Sequence, residues 1–134
     1  MSTPHLPADV PFPPTPTAVL PLCRELGSVA GQLVMLLSWE VWEGWADLRF
    51  ARIDVGATRP LPRRVPPATA WEIAADGEPL TVVDAVGRGD RAFSNGEVRL
   101  QPAPALDATL TISVEVVPGA PALRVEVPLP GPSL

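Results

Sequence analysis

Three tryptophans follow one another at intervals of three residues, at Trp39, Trp42 and Trp45. Residues three apart on an extended strand point to opposite faces, so Trp39 and Trp42 cannot both be core in a one-sided sheet. Trp39 follows the apolar phase of Leu37, which predicts that Trp42 lies on the outer face or rim and Trp45 near the turn. Exposed indoles anchor protein interfaces or stack on sugars. The alternative is that Trp42 and Trp45 cover the end of the domain, packed against the N-terminal residues.

Arginines in two predicted loops offer a second kind of recognition chemistry. Arg63 and Arg64 lie in a stretch with prolines at four of eight positions, residues 60–67. A stiff loop of this kind presents guanidinium groups that pair bidentately with a partner's carboxylates. The second loop, predicted over residues 87–96, contains Arg88, Asp90 and Arg91. The alternative is that these arginines pair with the chain's own acids.

Side chains for catalysis or metal binding are scarce. The single histidine, His5, precedes the predicted domain, where no core element holds it against a nucleophile. One histidine and one cysteine do not make a zinc site. We therefore predict no enzymatic activity, no catalytic residue, no metal and no cofactor. A weaker alternative is a calcium site formed by oxygen ligands, for which the candidates are Asp84, Asp90, Asn95 and Glu97.

The charge balance bears on the kind of partner. The net charge is −5, and the ten basic residues are all arginines interleaved with fifteen acids. Nucleic-acid binding requires clustered cations, so we predict no nucleic-acid partner. No apolar run reaches the length of a membrane helix, and the first sixteen residues carry six prolines and no basic residue, unlike a secretory signal. We predict no membrane span and a cytoplasmic location.

The pattern of the chain predicts an all-β fold. Residues 1–16 form a disordered proline-rich arm, and residues 17–134 form one domain of about seven antiparallel strands. In the long strand at residues 32–42, one face is predicted to carry Leu33, Met35, Leu37, Trp39 and Val41. Val34 and Leu36 on the other face predict that the first half of this strand is covered on both sides. A β-bulge near Ala51 and Arg52 is predicted to absorb a phase slip in the following strand. Only residues 20–30 have a composition compatible with a helical turn.

Three segments resemble bacterial immunoglobulin-like modules of uncharacterised or extracytoplasmic proteins. They are residues 38–42 (Ser-Trp-Glu-Val-Trp), residues 71–77 (Trp-Glu-Ile-Ala-Ala-Asp-Gly) and the alternating run at residues 110–116. The resemblance spans residues 31–129 and implies an immunoglobulin-like β-sandwich that serves as a scaffold rather than a catalyst. A barrel is the alternative fold.

These observations predict a non-catalytic interaction or structural module that recognises a protein partner. The predicted partner-binding residues are Trp42, Trp45, Arg63, Arg64, Arg88, Asp90 and Arg91. Two alternatives remain open at this point. One is a carbohydrate- or calcium-binding module, and the other is a phage or assembly component that docks onto a neighbouring subunit, or onto a second copy, through its N-terminal arm.

Overall fold

The structure, a computed structural model, describes residues 15–56, 65–89 and 92–131. Within these residues it contains one 3-10 turn, Ala68–Ala70, and nine strands. The strands are β1 (Ala18–Val29), β2 (Gln32–Val41), β3 (Ala46–Asp54), β4 (Trp71–Ala75), β5 (Glu78–Pro79), β6 (Thr81–Gly89), β7 (Phe93–Gln101), β8 (Thr109–Val114) and β9 (Leu123–Pro128). The all-β prediction is confirmed, with nine strands in place of about seven.

Two antiparallel sheets enclose the core. One sheet has the order β1-β2-β3-β7-β6, and the other has the order β5-β4-β8-β9. Both contribute to a single buried cluster, in which Trp39 and Leu48 of the first sheet join Leu110 and Ile112 of the second. The described part of the chain has no helix long and apolar enough to cross a membrane.

The clearest sequence signals coincide with the observed elements. In β8, Leu110, Ile112 and Val114 are fully buried while the threonines and the serine between them are not, which is the alternation of a strand with one buried face. Asp76 and Gly77 have φ of 50° and 84°, the left-handed pair that closes a two-residue hairpin between β4 and β5.

The prediction that Leu37 shares the core face of Trp39 in β2 is wrong. Val34 and Leu36 point into the core, whereas Leu37 is 39% exposed and interrupts the pairing of β2 with β3. The extra residue of this bulge exchanges the two faces, so that Trp39 and Val41 are still buried as predicted. Leu33 and Met35, predicted on the same face as Trp39, therefore lie on the opposite face.

The bulge predicted near Ala51 and Arg52 is absent from β3, which pairs with β7 without interruption. The inward phase set by Leu48 and Phe50 continues to Arg52, whose side chain is only 2% exposed. The prediction failed because it took the apolar residues Ile53 and Val55 to mark the inward positions at the end of the strand. Hydrogen bonds to two buried polar neighbours make that position possible, as described below.

Two predicted irregular segments are largely strand. β1 continues from Ala18 to Val29 with two irregularities in its register, in place of a helical turn over residues 20–30. The loop predicted over residues 87–96 is replaced by the ends of β6 and β7, which pair Gly87 with Gly96 and Arg88 with Asn95. Gly96 serves packing there, since an added Cβ would lie 3.0 Å from a ring carbon of Phe50. The predicted arm, apart from its last two residues, lies outside the described residues.

Candidate functional site

Two cross-strand rows of charged side chains lie on the face of the five-stranded sheet that points away from the core, here called the outer sheet face. One cross-strand row consists of Glu40, Asp47, Arg99 and Asp84. The next row consists of Ser38, Arg49, Glu97 and Val86. Side chains that neighbour one another across strands lie close enough to interact, so each arginine has carboxylates within reach.

The turn between β2 and β3 presents two tryptophans as a pair. Trp42 and Trp45 stack with ring centroids 5.7 Å apart and planes inclined by only 8°. The backbone N–H of Trp42 donates to the carbonyl of Trp45 over 2.8 Å, which fixes the turn beneath the rings. Both side chains are half-buried, in agreement with the predicted position of Trp42 at the rim.

Arg99 extends the aromatic pair into a cation–π contact. Its Cζ lies 5.0 Å from the ring centroid of Trp45. The same guanidinium donates from Nε to Oδ1 of Asp47 (2.9 Å) and from Nη2 to Oδ2 (3.1 Å), a bidentate pair in which the carboxylate is buried. Trp42, Trp45 and Arg99 are called the Trp–Arg stack below.

The charge of Arg99 is stabilised by its surroundings. The hydrogen bond to Asp47 raises the pKa of Arg99, partly opposed by burial and aided by the Coulomb attraction of Asp47, Glu97 and Asp84. A cationic group whose pKa is raised on folding contributes stability at every pH below its ordinary value. Arg99 therefore keeps its positive charge throughout the physiological pH range.

A second arginine links the two rows of the outer sheet face. Arg49 donates from Nε to Glu40 over 2.7 Å, and its Nη2 lies 3.5 Å from a carboxylate oxygen of Glu97. The hydrogen bond to Glu40 is the largest effect on the pKa of Arg49, which is raised. The Arg49 side chain is about half exposed, so these pairs orient charge more than they stabilise the fold.

A depression of about 320 Å³ lies on the outer sheet face at the β6 edge. Its wall includes Arg88 and Arg49, the apolar Val86, and the carboxylate of Glu97. Arg88 pairs across strands with Asn95, four residues before Arg99 on β7. At the rise of a β-strand this places the Arg88–Asn95 pair about 14 Å from Arg99, with Glu97 of the same wall between them along β7.

Three of the seven predicted site residues therefore share one surface: Trp42, Trp45 and Arg88. The other four lie outside the described residues: Arg63, Arg64, Asp90 and Arg91. Sequence reasoning missed Arg99, which contacts the ring of Trp45, and Asp47, which holds Arg99. Charged residues alternate with apolar ones on both strands, and such a pattern on neighbouring strands predicts cross-strand ion pairs. The sequence does not show, however, that β3 pairs with β7.

Among the described residues, no three histidine, cysteine, aspartate or glutamate side chains lie close enough together to hold a metal ion. Asp84 and Glu97, which were candidates for calcium, lie in neighbouring cross-strand rows beside Arg99 and Arg49. Cys23 is an exposed free thiol on β1. What the outer sheet face offers is an ordered array of aromatic and charged groups.

Known proteins add no further guide to the function. Comparisons with protein-family models, with curated protein sequences and with solved structures found no match to this chain.

Proposed function

We propose that the chain is a non-catalytic binding module that recognises a protein partner with its outer sheet face. The observation that carries this proposal is the Trp–Arg stack. Two indoles stack on each other at the rim of the sheet, and the guanidinium of Arg99, held by the buried carboxylate of Asp47, lies over the ring of Trp45. Tryptophan and arginine are the residue types that contribute most to binding energy at protein interfaces.

The arrangement is favourable because it is ordered before a partner arrives. Association must otherwise immobilise each long side chain at an entropic cost of about 0.5–1.5 kcal/mol. Arg99 is held by two hydrogen bonds and a ring contact, and Trp45 contacts both Trp42 and Arg99. A partner that binds the Trp–Arg stack avoids most of that cost.

The size of the surface fits a protein rather than a small ligand. Five strands of about nine residues form a face of about 20 by 30 Å, or about 600 Å². A standard protein–protein interface buries about 800 Å² on each partner, so this face and its rim are of matching size. Arg88 lies in the depression at the far side of the face, where it is placed to meet a carboxylate of the partner.

The remaining predicted residues are included in the proposal from their places in the sequence. Arg63 and Arg64 directly precede Val65, which packs against the core beside Gly87, the neighbour of Arg88 on β6. Asp90 and Arg91 follow the end of β6 at Gly89. The resemblance to immunoglobulin-like modules agrees with this proposal, because it implies a scaffold and not a catalyst.

A sugar ligand fits the same residues less well. Sugars stack on open indole faces, whereas one face of Trp42 and one face of Trp45 are used in the contact between them. The ring of Trp45 also carries Arg99. We therefore favour a protein partner over the carbohydrate alternative.

Affinity capture with variants of the outer sheet face tests the proposal. The full chain and the variants Arg88→Glu and Trp42→Ala are each used to capture proteins from the source cell, with quantitative mass spectrometry as the readout. Arg124→Glu is the matched control, since Arg124 is exposed on β9 in the other sheet. All baits are first shown to melt at similar temperatures.

The expected result is a protein that the native chain and the Arg124→Glu variant retain and that both outer-face variants lose at least tenfold. The proposal is wrong if the four baits capture the same proteins in the same amounts. It is also wrong if the control reversal alone abolishes capture, because the partner would then bind the four-stranded sheet.

A further inference from the structure

We propose that the protein partner contributes an extended segment, with an acidic, an apolar and a basic residue at alternate positions, that pairs antiparallel with the open edge of β6. The inference deepens the proposed function, on which it rests, by naming the form of the partner. Addition of a peptide strand to a sheet edge is a recurring mode of recognition, in which the main chain supplies affinity and alternate side chains supply specificity.

β6 offers the unpaired main chain that this mode of recognition requires. It is the last strand of the five-stranded sheet and pairs with β7. Within the described part of the chain, no backbone hydrogen bond joins residues 81–89 to any segment other than β7. The 3-10 turn and β4 contact β6 without a backbone hydrogen bond to it. The backbone groups on the outer edge of β6 are therefore a template for another strand.

The regular part of this edge consists of residues 84–89. The register of β6 with β7 is interrupted between Val82 and Asp84, and from Asp84 to Gly89 the two strands pair residue for residue. Six residues of extended chain span about 20 Å. A partner strand can follow them without a bulge of its own, in the antiparallel orientation that the described strand pairs of both sheets have.

The side chains of this regular part alternate between the core and the outer sheet face. Ala85 packs against the core. Asp84, Val86 and Arg88 therefore share the opposite face, where Val86 and Arg88 line the depression described above. An added strand would present its own alternate side chains beside these three.

The charges of the three outward side chains define the sequence of the partner segment. All three are exposed, Val86 by 47%. The neighbour of Arg88 on β7 is the neutral Asn95, so an acidic residue on the added strand would supply a carboxylate to Arg88. By the same rule, an apolar residue lies beside Val86 and a basic residue beside Asp84. Because the strands are antiparallel, the pattern of the partner reads acidic, any, apolar, any, basic.

The added strand also leads to the Trp–Arg stack. Asp84 is the cross-strand neighbour of Arg99. The basic end of the added strand therefore lies two strand spacings, about 10 Å, from Arg99. Residues that follow this end are within reach of the stack, so one continuous segment of the partner can engage both the edge and the outer sheet face.

A second copy of this chain is the competing occupant, because β6 itself carries the same charge pattern. Two observations favour a different protein. The copy would bring its own irregularity between Val82 and Asp84, which leaves only residues 84–88 of both strands for regular pairing in the register that matches the charges. Each copy also carries a net charge of −5, so two copies repel one another, and a partner need not carry that charge.

A peptide titration of the ¹⁵N-labelled full chain at physiological salt tests the inference. The probe is the blocked peptide Ser-Glu-Thr-Val-Thr-Lys-Ser, and a charge-swapped peptide of the same composition, Ser-Lys-Thr-Val-Thr-Glu-Ser, is its control. Two further probes carry backbone N-methyl groups on alternate residues, one on Glu, Val and Lys and the other on both threonines. Amide signals report where each peptide binds. Hydrogen exchange and sedimentation velocity characterise the free chain at the same concentration.

The expected result is that the probe shifts the amide signals of residues 84–89 saturably and binds about tenfold more tightly than the charge-swapped peptide. One N-methylated probe should lose binding and the other should retain it, because only alternate N–H groups of an added strand face β6. Arg88→Glu should weaken the probe about tenfold and should bind Ser-Lys-Thr-Val-Thr-Lys-Ser more tightly than the native chain does. Arg124→Glu, which makes the same change in net charge on the other sheet, should do neither.

Five outcomes would overturn the inference. One is that the probe causes no saturable shift at β6. Equal binding of both N-methylated probes would mean that the contact uses side chains alone, and equal or tighter binding of the charge-swapped peptide would exclude the proposed register. Slow hydrogen exchange at every amide of residues 84–89 in the free chain would mean that the edge is already covered. A native dimer that pairs through β6 would identify a second copy as the occupant.

The peptide titration and the capture experiment can fail separately. A partner captured through Trp42 and Arg88, with no peptide binding at β6, would leave the proposed function standing and remove the added strand. Peptide binding at β6 with no captured partner would show a competent edge and reject the proposed function.

Discussion

Arg52 shows how a single residue can defeat a hydrophobic pattern. Its side chain is buried on the core side of β3, where Nε donates to Ser94 Oγ over 3.0 Å and Nη1 donates to the side-chain carbonyl of Gln32. Gln32 and Ser94 are themselves almost fully buried. Burial of a charged group is tolerated when its donors find acceptors, and three polar residues from β2, β3 and β7 form a buried polar cluster between neighbouring strands.

Substitution of Arg52 by methionine should lower the free energy of unfolding by about 2–4 kcal/mol. The volume changes little, but Gln32 and Ser94 lose the donor that satisfies them. Arg49→Met is the matched control, because Arg49 lies on the same strand with a half-exposed side chain and should cost less than about 1 kcal/mol. Urea unfolding of both variants measures the difference, and equal losses would show that the buried cluster contributes nothing beyond a surface ion pair.

At the scale of elements, the bulge in β2 decides which side chains fill the core. Leu36 is fully buried, and the adjacent Leu37 is 39% exposed although it shares the odd-numbered phase of Trp39. The bulge lets one strand bury Val34 and Leu36 before it and Trp39 and Val41 after it. A strand of uniform alternation would have to give up one of these pairs.

Leu36→Ala should therefore destabilise the domain by about 2–5 kcal/mol, the usual range for truncation of a buried leucine. Leu37→Ala should change the free energy of unfolding by less than about 1 kcal/mol, because its side chain is largely in solvent. Denaturant unfolding of the two variants distinguishes the bulged strand from a regular one. Under regular alternation in phase with Trp39, the order of the two losses would be reversed.

The same strands show which parts of the fold can be predicted from the sequence. β8 and the hairpin turn at Asp76 and Gly77 were predictable, because strict alternation and left-handed turn residues are local signals. The bulge at Leu37 was not, since a run of large apolar residues is compatible with either face. Its position depends on register with β3, which is a property of two distant segments.

In the candidate site, too, the features set by local sequence were predictable and those set by strand pairing were not. Trp42 was placed at the rim from spacing alone, and its half-buried position agrees with that prediction. The carboxylate that orders the stack was not identified, because Asp47 meets Arg99 only through the pairing of β3 with β7. Glycines misled the prediction at residues 87–96, where Gly87 and Gly96 allow close packing inside paired strands rather than forming a loop.

At the scale of the whole molecule, the open edges of the two sheets decide whether copies remain separate. β1 and β9 protect each other, since Arg24 donates to the carbonyl of Glu126 and Gly27 lies against Leu123. β6 forms the opposite edge of the five-stranded sheet. The 3-10 turn and β4 contact it, but no strand among the described residues pairs with its outer edge. An exposed edge strand is a template for pairing with another chain unless a bulge or a charge disturbs it.

β6 has both a bulge and a charged residue at the same position. Its register with β7 is interrupted between Val82 and Asp84, and a carboxylate oxygen of Asp84 accepts the backbone N–H of Ala85 over 2.9 Å. Asp84→Val removes the charge and releases this N–H, and it adds a branched apolar side chain near Val83 and Val86, which are both 47% exposed. We expect the variant to self-associate through β6.

Sedimentation velocity at increasing protein concentration measures this effect, with a rising weight-average mass expected for Asp84→Val. Glu126→Val on the protected β9 edge is the matched control and should sediment as the native chain does. Equal association of both variants would indicate general stickiness from lost charge, and no association of either would mean that the bulge alone protects the edge. The distinction matters for the proposed function, because β6 borders the depression that holds Arg88, and pairing there would place a second chain beside that depression.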